Sequence, residues 1–134
     1  MVKKIDYIYA VGRRKSASAR VRLYKGKGEN TINGVVVDKY FSNPIFKSLW
    51  NKAFKQVDVT DKYYASVRVL GGGRKGQLDA IIHAIAKALA KAEKDKFRAP
   101  LKKAGLLTRD SRIRERRKVG TGGKARRKKQ SPKR

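Results

Sequence analysis

The chain has 134 residues, and 37 Lys plus Arg against 10 Asp plus Glu leave a formal net charge of +27 in a length that has room for one domain. A compact state so charged repels itself, which implies a polyanionic partner, nucleic acid first; yet 40% hydrophobic residues, with six Tyr, four Phe and one Trp, exclude a wholly disordered polycation. Zero Cys excludes disulfides, thiolate zinc sites and a cysteine nucleophile, and no apolar run approaches the roughly 18 to 20 residues of a membrane-spanning helix. The N-terminal Met1-Val2-Lys3-Lys4-Ile5-Asp6 has no apolar run of the kind a signal peptide needs, so the expectation is a soluble, cytosolic protein without membrane contact.

In chain order, Ile5 to Val11 is rich in Tyr, Ile and Val and reads as a strand. It leads through a basic turn, Gly12-Arg13-Arg14-Lys15-Ser16, into a second strand. Arg20 to Tyr24 alternates, with Val21 and Leu23 on one side and Arg20 and Arg22 on the other, the period of a half-buried strand with a cationic outer face. Asn33-Gly34, between Thr31-Ile32 and Val35-Val36-Val37, is the dipeptide of a type I′ hairpin within an antiparallel sheet. Pro44 suits the first turn of a helix, and Ile45, Phe46, Leu49, Trp50, Ala53 and Phe54 follow at helical spacing as a core stripe; the alternative for Phe46 and Trp50 is stacking on bases. Tyr63 to Leu70 is a strand with Tyr63, Ala65, Val67 and Val69 on one side and Arg68 on the other. Gln77 to Lys94 is the longest helix, its Leu78, Ile81, Ile82, Ile85 and Leu89 lying across the sheet.

Charge then divides the chain. Residues 1–100 hold 22 basic and 8 acidic residues, whereas residues 101–134 hold 15 basic and 2 acidic and, past Leu107, only Ile113 and Val119 as large aliphatics. The division is a globular α+β domain over 1–100 and an extended basic tail over 101–134, disordered when free because it cannot bury enough to offset its ordering entropy.

Two patterns look like chemistry. Gly71-Gly72-Gly73-Arg74-Lys75-Gly76 has the letters of a dinucleotide-binding loop between strand and helix, but no second apolar strand follows, since Glu93 to Pro100 is charged, and Gln77 stands where a P-loop needs lysine. What remains is a glycine loop at a helix N-terminus with Arg74 and Lys75 beside it, suited to an RNA phosphate, or else glycines needed only for strand-to-helix packing. His83, alone of its kind and on the side away from Ile81 and Ile85, reads as a partly solvated surface residue rather than a metal ligand or general base. The basic patches are more informative. Arg13, Arg14, Lys15, Arg20 and Arg22 cluster with no acid between Asp6 and Glu29, and Arg predominates again in Arg109, Arg112, Arg114, Arg116 and Arg117; its planar fork suits bidentate phosphate grip.

The residues also resemble a family. Gly12-Arg13-Arg14-Lys15-Ser16-Ala17-Ser18-Ala19-Arg20-Val21, then Gly71-Gly72-Gly73 with Gly76-Gln77 and Ala80-Ile81, then Leu107-Thr108-Arg109-Asp110-Ser111-Arg112 and Glu115-Arg116-Arg117-Lys118 are similar, in order, to the small-subunit ribosomal protein S-nine family of bacterial type. The resemblance implies an α+β fold like the second domain of the S-five ribosomal protein: two layers, a mixed sheet with two main helices on one face, a left-handed crossover and a long basic C-terminal tail. It implies a structural role in the small-subunit head beside other head proteins. Arg13, Arg14, Lys15, Arg20, Arg22, Arg74, Lys75, Arg109, Arg112, Arg114, Arg116, Arg117, Lys118, Arg126 and Arg127 would bind ribosomal RNA, and the terminal Lys133 and Arg134 would reach the peptidyl-site transfer RNA. One departure stands out: family tails commonly end Gln-Phe-Ser-Lys-Arg, and this chain ends Gln130-Ser131-Pro132-Lys133-Arg134, which puts in doubt any contact of the missing ring and the path of the last residues.

Three functions compete: a ribosomal RNA-binding component, which accounts for charge, tail, fold and motifs together; a DNA-compacting protein, which accounts only for charge; and a nucleotide-dependent enzyme, which accounts only for the glycines. The first is the expectation, with no catalytic residue, metal or cofactor.

Overall fold

A computed structural model describes residues 7–59 and 62–113. Its centre is an antiparallel trio of strands, β1 (Ile8–Arg14), β2 (Ala17–Lys25) and β5 (Tyr63–Leu70). The hairpin of β3 (Thr31–Ile32) and β4 (Val35–Val36) extends it, giving the order β1-β2-β5-β3-β4. Because β3 runs parallel to β5, the sheet is mixed, as the family resemblance implies and the antiparallel reading of the hairpin does not. Short helices α1 (Val37–Tyr40), α2 (Pro44–Leu49) and α3 (Lys52–Gln56) lead from β4 towards β5, and α4 (Arg74–Ala92) and α5 (Lys94–Lys103) follow it. The fold is α+β.

Period-two alternation decides which face is covered. In β2 Ala17, Ala19, Val21 and Leu23 are buried, and in β5 Tyr63, Ala65, Val67 and Val69 are, while the residues between them face outward. Helix α4 lies on the buried side, packed chiefly on β1 and β2, with Leu78, Ile81, Ile85 and Leu89 fully enclosed. Each such side chain contributes about 1.5–3 kcal/mol by leaving water. The contact is close because its middle is small. A Cβ added at Gly12 would overlap the Ala80 carbonyl oxygen and stand 2.5 Å from the Ala84 amide nitrogen, so β1 and α4 touch backbone to backbone.

The hairpin is held to β5 less by its two-residue strands than by side chains. Asn33 and Gly34 take positive φ angles of 53° and 83°, the type I′ turn expected of that dipeptide. Asn33 then bonds the Val69 backbone through both ends of its amide, at 2.9 and 3.1 Å, and Asn30 Oδ1 accepts from the Ala65 amide at 2.9 Å. These side chains replace ladder bonds that the short strands lack.

Four expectations change. The first strand runs on through Arg14, so that Gly12, Arg13 and Arg14 belong to it and the turn is only Lys15-Ser16, with Lys15 at φ 53°. The single helix after Pro44 is two short ones. Of its stripe Ala53 and Phe54 are buried, Phe46 and Trp50 pack at the core margin, and Ile45 and Leu49 are exposed, because the break near Trp50 turns α2 away from the sheet. Helix α4 starts three residues earlier than the Gln77 to Lys94 reading and ends two earlier. Finally, the charged stretch that offers no strand, as read, turns out helical from Lys94 on, with Glu93 as the break after α4. Phe97 and Leu101, one turn apart, are the buried face of α5, Phe97 meeting Tyr63 edge-on at 6.2 Å, and α5 passes through the residue-100 boundary that composition draws.

Candidate nucleic-acid interface

The uncovered face of the sheet is cationic. Register sets its rows: Tyr9, Arg22 and Ser66 side by side, then Val11, Arg20 and Arg68, then Arg13, Ser18 and Leu70. Arg13, Arg20, Arg22 and Arg68 are all exposed, and no acidic residue lies in β1, β2 or β5. At one end three tyrosines form a ladder, Tyr24 stacked on Tyr64 at 5.1 Å and tilted against Tyr7 at 5.8 Å, and the Arg22 guanidinium sits 5.0 Å over the Tyr7 ring.

Arg14 is the exception in its cluster. One residue on from Arg13, it points to the helix side, with 12% of its side chain exposed, and is held 3.4 Å from Asp110 and 3.7 Å from Asp79, while its Nη1 donates to the Arg112 carbonyl at 2.6 Å. The same Asp110 accepts from Arg112 at 2.7 Å, and the Arg112 hydrogen bonds, with Arg14 adding to them, hold its carboxyl well below the ordinary range. So Arg14 does not join the platform. It clamps the segment after α5 to α4 and to the β1–β2 turn.

The glycine loop divides between its two readings. A Cβ at Gly71 would stand 2.5 Å from the Ser16 carbonyl oxygen and one at Gly72 3.2 Å from the Ala17 Cβ, and both have positive φ, so these two glycines serve packing against the β1–β2 turn. Gly73, which precedes α4, borders open space, and no side chain caps the helix there. Lys75 beside it is exposed, but Arg74 is turned aside, its guanidinium 4.8 Å over the Tyr40 ring and bonded to the Tyr40 carbonyl. The loop therefore presents two exposed cations, one of them, Arg74, held against Tyr40.

Lys75 instead borders an open cavity of about 330 Å³ that Arg13, Arg14, Lys52 and Arg112 share, with Ile82, Leu106 and His83 also in its lining. His83 is half-buried, partly solvated as its place on the helix predicts, with the Leu106-Leu107 segment folded back over it: Nε2 lies 3.3 Å from the Leu107 carbonyl, and Nδ1 is buried without a partner among the described residues. Burial lowers its pKa; the Leu107 bond opposes this, and the charges of Lys87 and Arg109 add to it. Lys15, Arg109 and Arg112 are exposed, whereas Arg114, Arg116, Arg117, Lys118, Arg126, Arg127, Lys133 and Arg134 lie outside the described residues.

Three further cations escaped the sequence reading of sites. Arg68 alternates outward in its strand, but only the pairing of β5 with β2 makes it a neighbour of Arg20. Lys87 and Lys91, one turn apart on α4, donate to the Val11 and Tyr9 carbonyls of β1 at 2.8 and 3.0 Å, covering an edge strand, and no local pattern announces that.

Fold and surface together define a small cationic α+β module whose charge is spread over a sheet face, a turn and a helix start rather than gathered in a cleft. The family described as ribosomal protein S9/S16 matches residues 12–134, and the chain belongs to that family. Small ribosomal subunit protein uS9 of Leifsonia xyli subsp. xyli is 47% identical over 111 residues, 83% of this chain and 66% of the relative, so the match spans just under two thirds of that protein. The proteins of the same name from Desulfotalea psychrophila and Dehalococcoides mccartyi are 43% and 45% identical, over 88% and 90% of this chain and 90% of each relative. The resemblance carried by the Gly12, Gly71 and Leu107 motifs is thus to the family that these comparisons find.

Proposed function

We propose that the chain is a structural component of the small ribosomal subunit head, in the ribosome of the cytoplasm, where it binds small-subunit ribosomal RNA and neighbouring proteins and catalyses no reaction. Family membership over residues 12–134, with relatives named for the small ribosomal subunit, is the observation that carries this reading. The geometry supports it, because an acid-free arginine face and exposed Lys15, Lys75 and Arg109 suit many dispersed phosphates better than one small substrate. Arg14 contributes indirectly, by holding the Asp110 to Arg112 segment against α4 and the β1–β2 turn.

The tail, from Arg114 through Arg127, extends the grip on ribosomal RNA, and Lys133 and Arg134 meet the anticodon-stem backbone of peptidyl-site transfer RNA; the family resemblance supports both. Contacts to phosphate position a ligand without reading its sequence, so all transfer RNAs should benefit alike. The test is whether the protein co-sediments with small subunits after a high-salt wash. Its absence from washed subunits, or its retention on DNA after ribonuclease treatment, would refute the reading. Deleting Lys133 and Arg134 should weaken peptidyl-site binding of several transfer RNAs by a few-fold to about tenfold, on the order of 1 kcal/mol, with subunit assembly intact.

A further inference from the structure

On the uncovered sheet face Arg20 and Arg68 are directly cross-strand, both exposed, and among the described residues no carboxylate comes within ion-pair distance of either. Like charges placed opposite one another weaken a sheet, so this pairing opposes folding unless an anion lies across it. Arg13 and Arg22 flank the pair in the adjacent rows. Around these four charges the face is not polar: Tyr7 is 46% exposed, Tyr9 44% and Leu70 72%. Phosphate alone would account for the arginines and leave these apolar groups in water.

We infer that this face holds an unpaired stretch of RNA, its phosphates bridging Arg20 and Arg68 and its bases stacking on Tyr9 and Tyr7; this rests on the ribosomal RNA-binding reading and names the part of the RNA recognised. Charge complementarity selects a polyanion. The interleaved rings select one with free π-faces, because bases are accessible to side chains where RNA is single-stranded and buried where it is paired. An uncovered sheet is also flat and rigid enough to present several rings and guanidinium groups at once. Arg22, already over the Tyr7 ring, is placed to extend a stack through its guanidinium plane.

The experiment uses the full chain, freed of RNA, and a short oligouridylate carrying 4-thiouridine as probe. Photo-crosslinks should map to Tyr7 or Tyr9, and Tyr9→Ala should weaken binding at least about fivefold, the low end of base-stacking losses. Arg20→Gln with Arg68→Gln should lower the log-log salt slope by about 1.4, at roughly 0.7 per phosphate on a single strand. Because that pair of substitutions relieves a repulsion, its unfolding midpoint should not fall, which keeps misfolding from mimicking the effect. Failure of the wild-type chain to bind the probe, crosslinks confined to residues outside 7–25 and 63–70, or an unchanged slope would overturn the inference. So would duplex RNA or polyglutamate competing as well as the oligouridylate, the last result assigning the face to an acidic protein. Binding of small-subunit ribosomal RNA is measured in parallel. If the wild-type chain binds it and the face variants bind it equally well, this inference alone fails; if the wild-type chain does not bind it, the proposed function fails as well.

Discussion

The two faces of the central sheet are made by the same three strands, one residue in, the next residue out, and they are built for opposite ends. The covered face uses glycine where α4 crosses, Gly12 against Ala80 and Ala84, with buried Ala17 and Ala19 in the next strand and larger aliphatics around that contact. The open face places arginines and tyrosines in the alternate positions and sets Arg20 opposite Arg68 at some loss of stability. At Gly12 the covered face has no room for an added atom, whereas the open face carries an unrelieved repulsion, which teaches that packing has been allotted to one side of a single layer and free charge to the other.

Substitutions sharpen this contrast in decreasing order. Ile85→Ala, beneath the covered face, should lower unfolding free energy by about 2–5 kcal/mol in urea titrations, since it opens a cavity in a fully enclosed site. Gly12→Ala should lower it by about 1–3 kcal/mol, at the upper end if α4 cannot move off the Ala80 carbonyl; no loss would show that the backbone contact is slack. Arg14→Ala belongs to the covered side although its neighbours in sequence do not. It should leave the core intact but speed tryptic cleavage after Arg109 several-fold, and Asp110→Asn should do the same. On the open face Arg20→Gln with Arg68→Gln should raise stability by about 0.2–1 kcal/mol at low salt, a gain that shrinks near 1 M salt, where screening reaches about 3 Å.

The smallest effect is one of pH. The folded-state pKa of His83 lies below its ordinary 6.5, so the native state favours the neutral ring; the contribution is complete above the unfolded value and is lost as pH falls from there through the folded value. Stability should therefore decline on acidification below about 6.5, and His83→Gln should flatten that slope. Asp110 acts in a lower window: its carboxyl is held below the ordinary 3.8, so the Arg14 and Arg112 contacts weaken only as pH falls past that value. Cleavage after Arg109 that rose between pH 7 and 5 in step with His83 protonation would tie the two groups together.

What could be read from the chain was local. The bounds of Tyr63 to Leu70, the turn at Asn33-Gly34 and the inward row of α4 each follow from periodicity or turn chemistry within about a dozen residues. Sequence failed where a residue's partner is far along the chain. Arg14 looked like its neighbours until Asp110, 96 positions away, was seen to hold it, and α5 was missed because Phe97 and Leu101 are too few to make a stripe until Tyr63 supplies their wall. Gly12 looked like part of a turn because what forbids a side chain there is the backbone of a helix nearly seventy residues later.

By itself, then, the sequence determined the charge, the family motifs and the in-or-out alternation of each strand, because these depend on composition and short periods. Only the tertiary structure decided that β2 lies between β1 and β5, and hence that Arg13, Arg20, Arg22 and Arg68 share one uncovered face while Arg14 and Arg74 are drawn into the protein's own contacts. The physical reason is that strand order and helix docking are settled by which apolar surfaces bury one another across the chain, and which charged side chains stay free is whatever that burial leaves over.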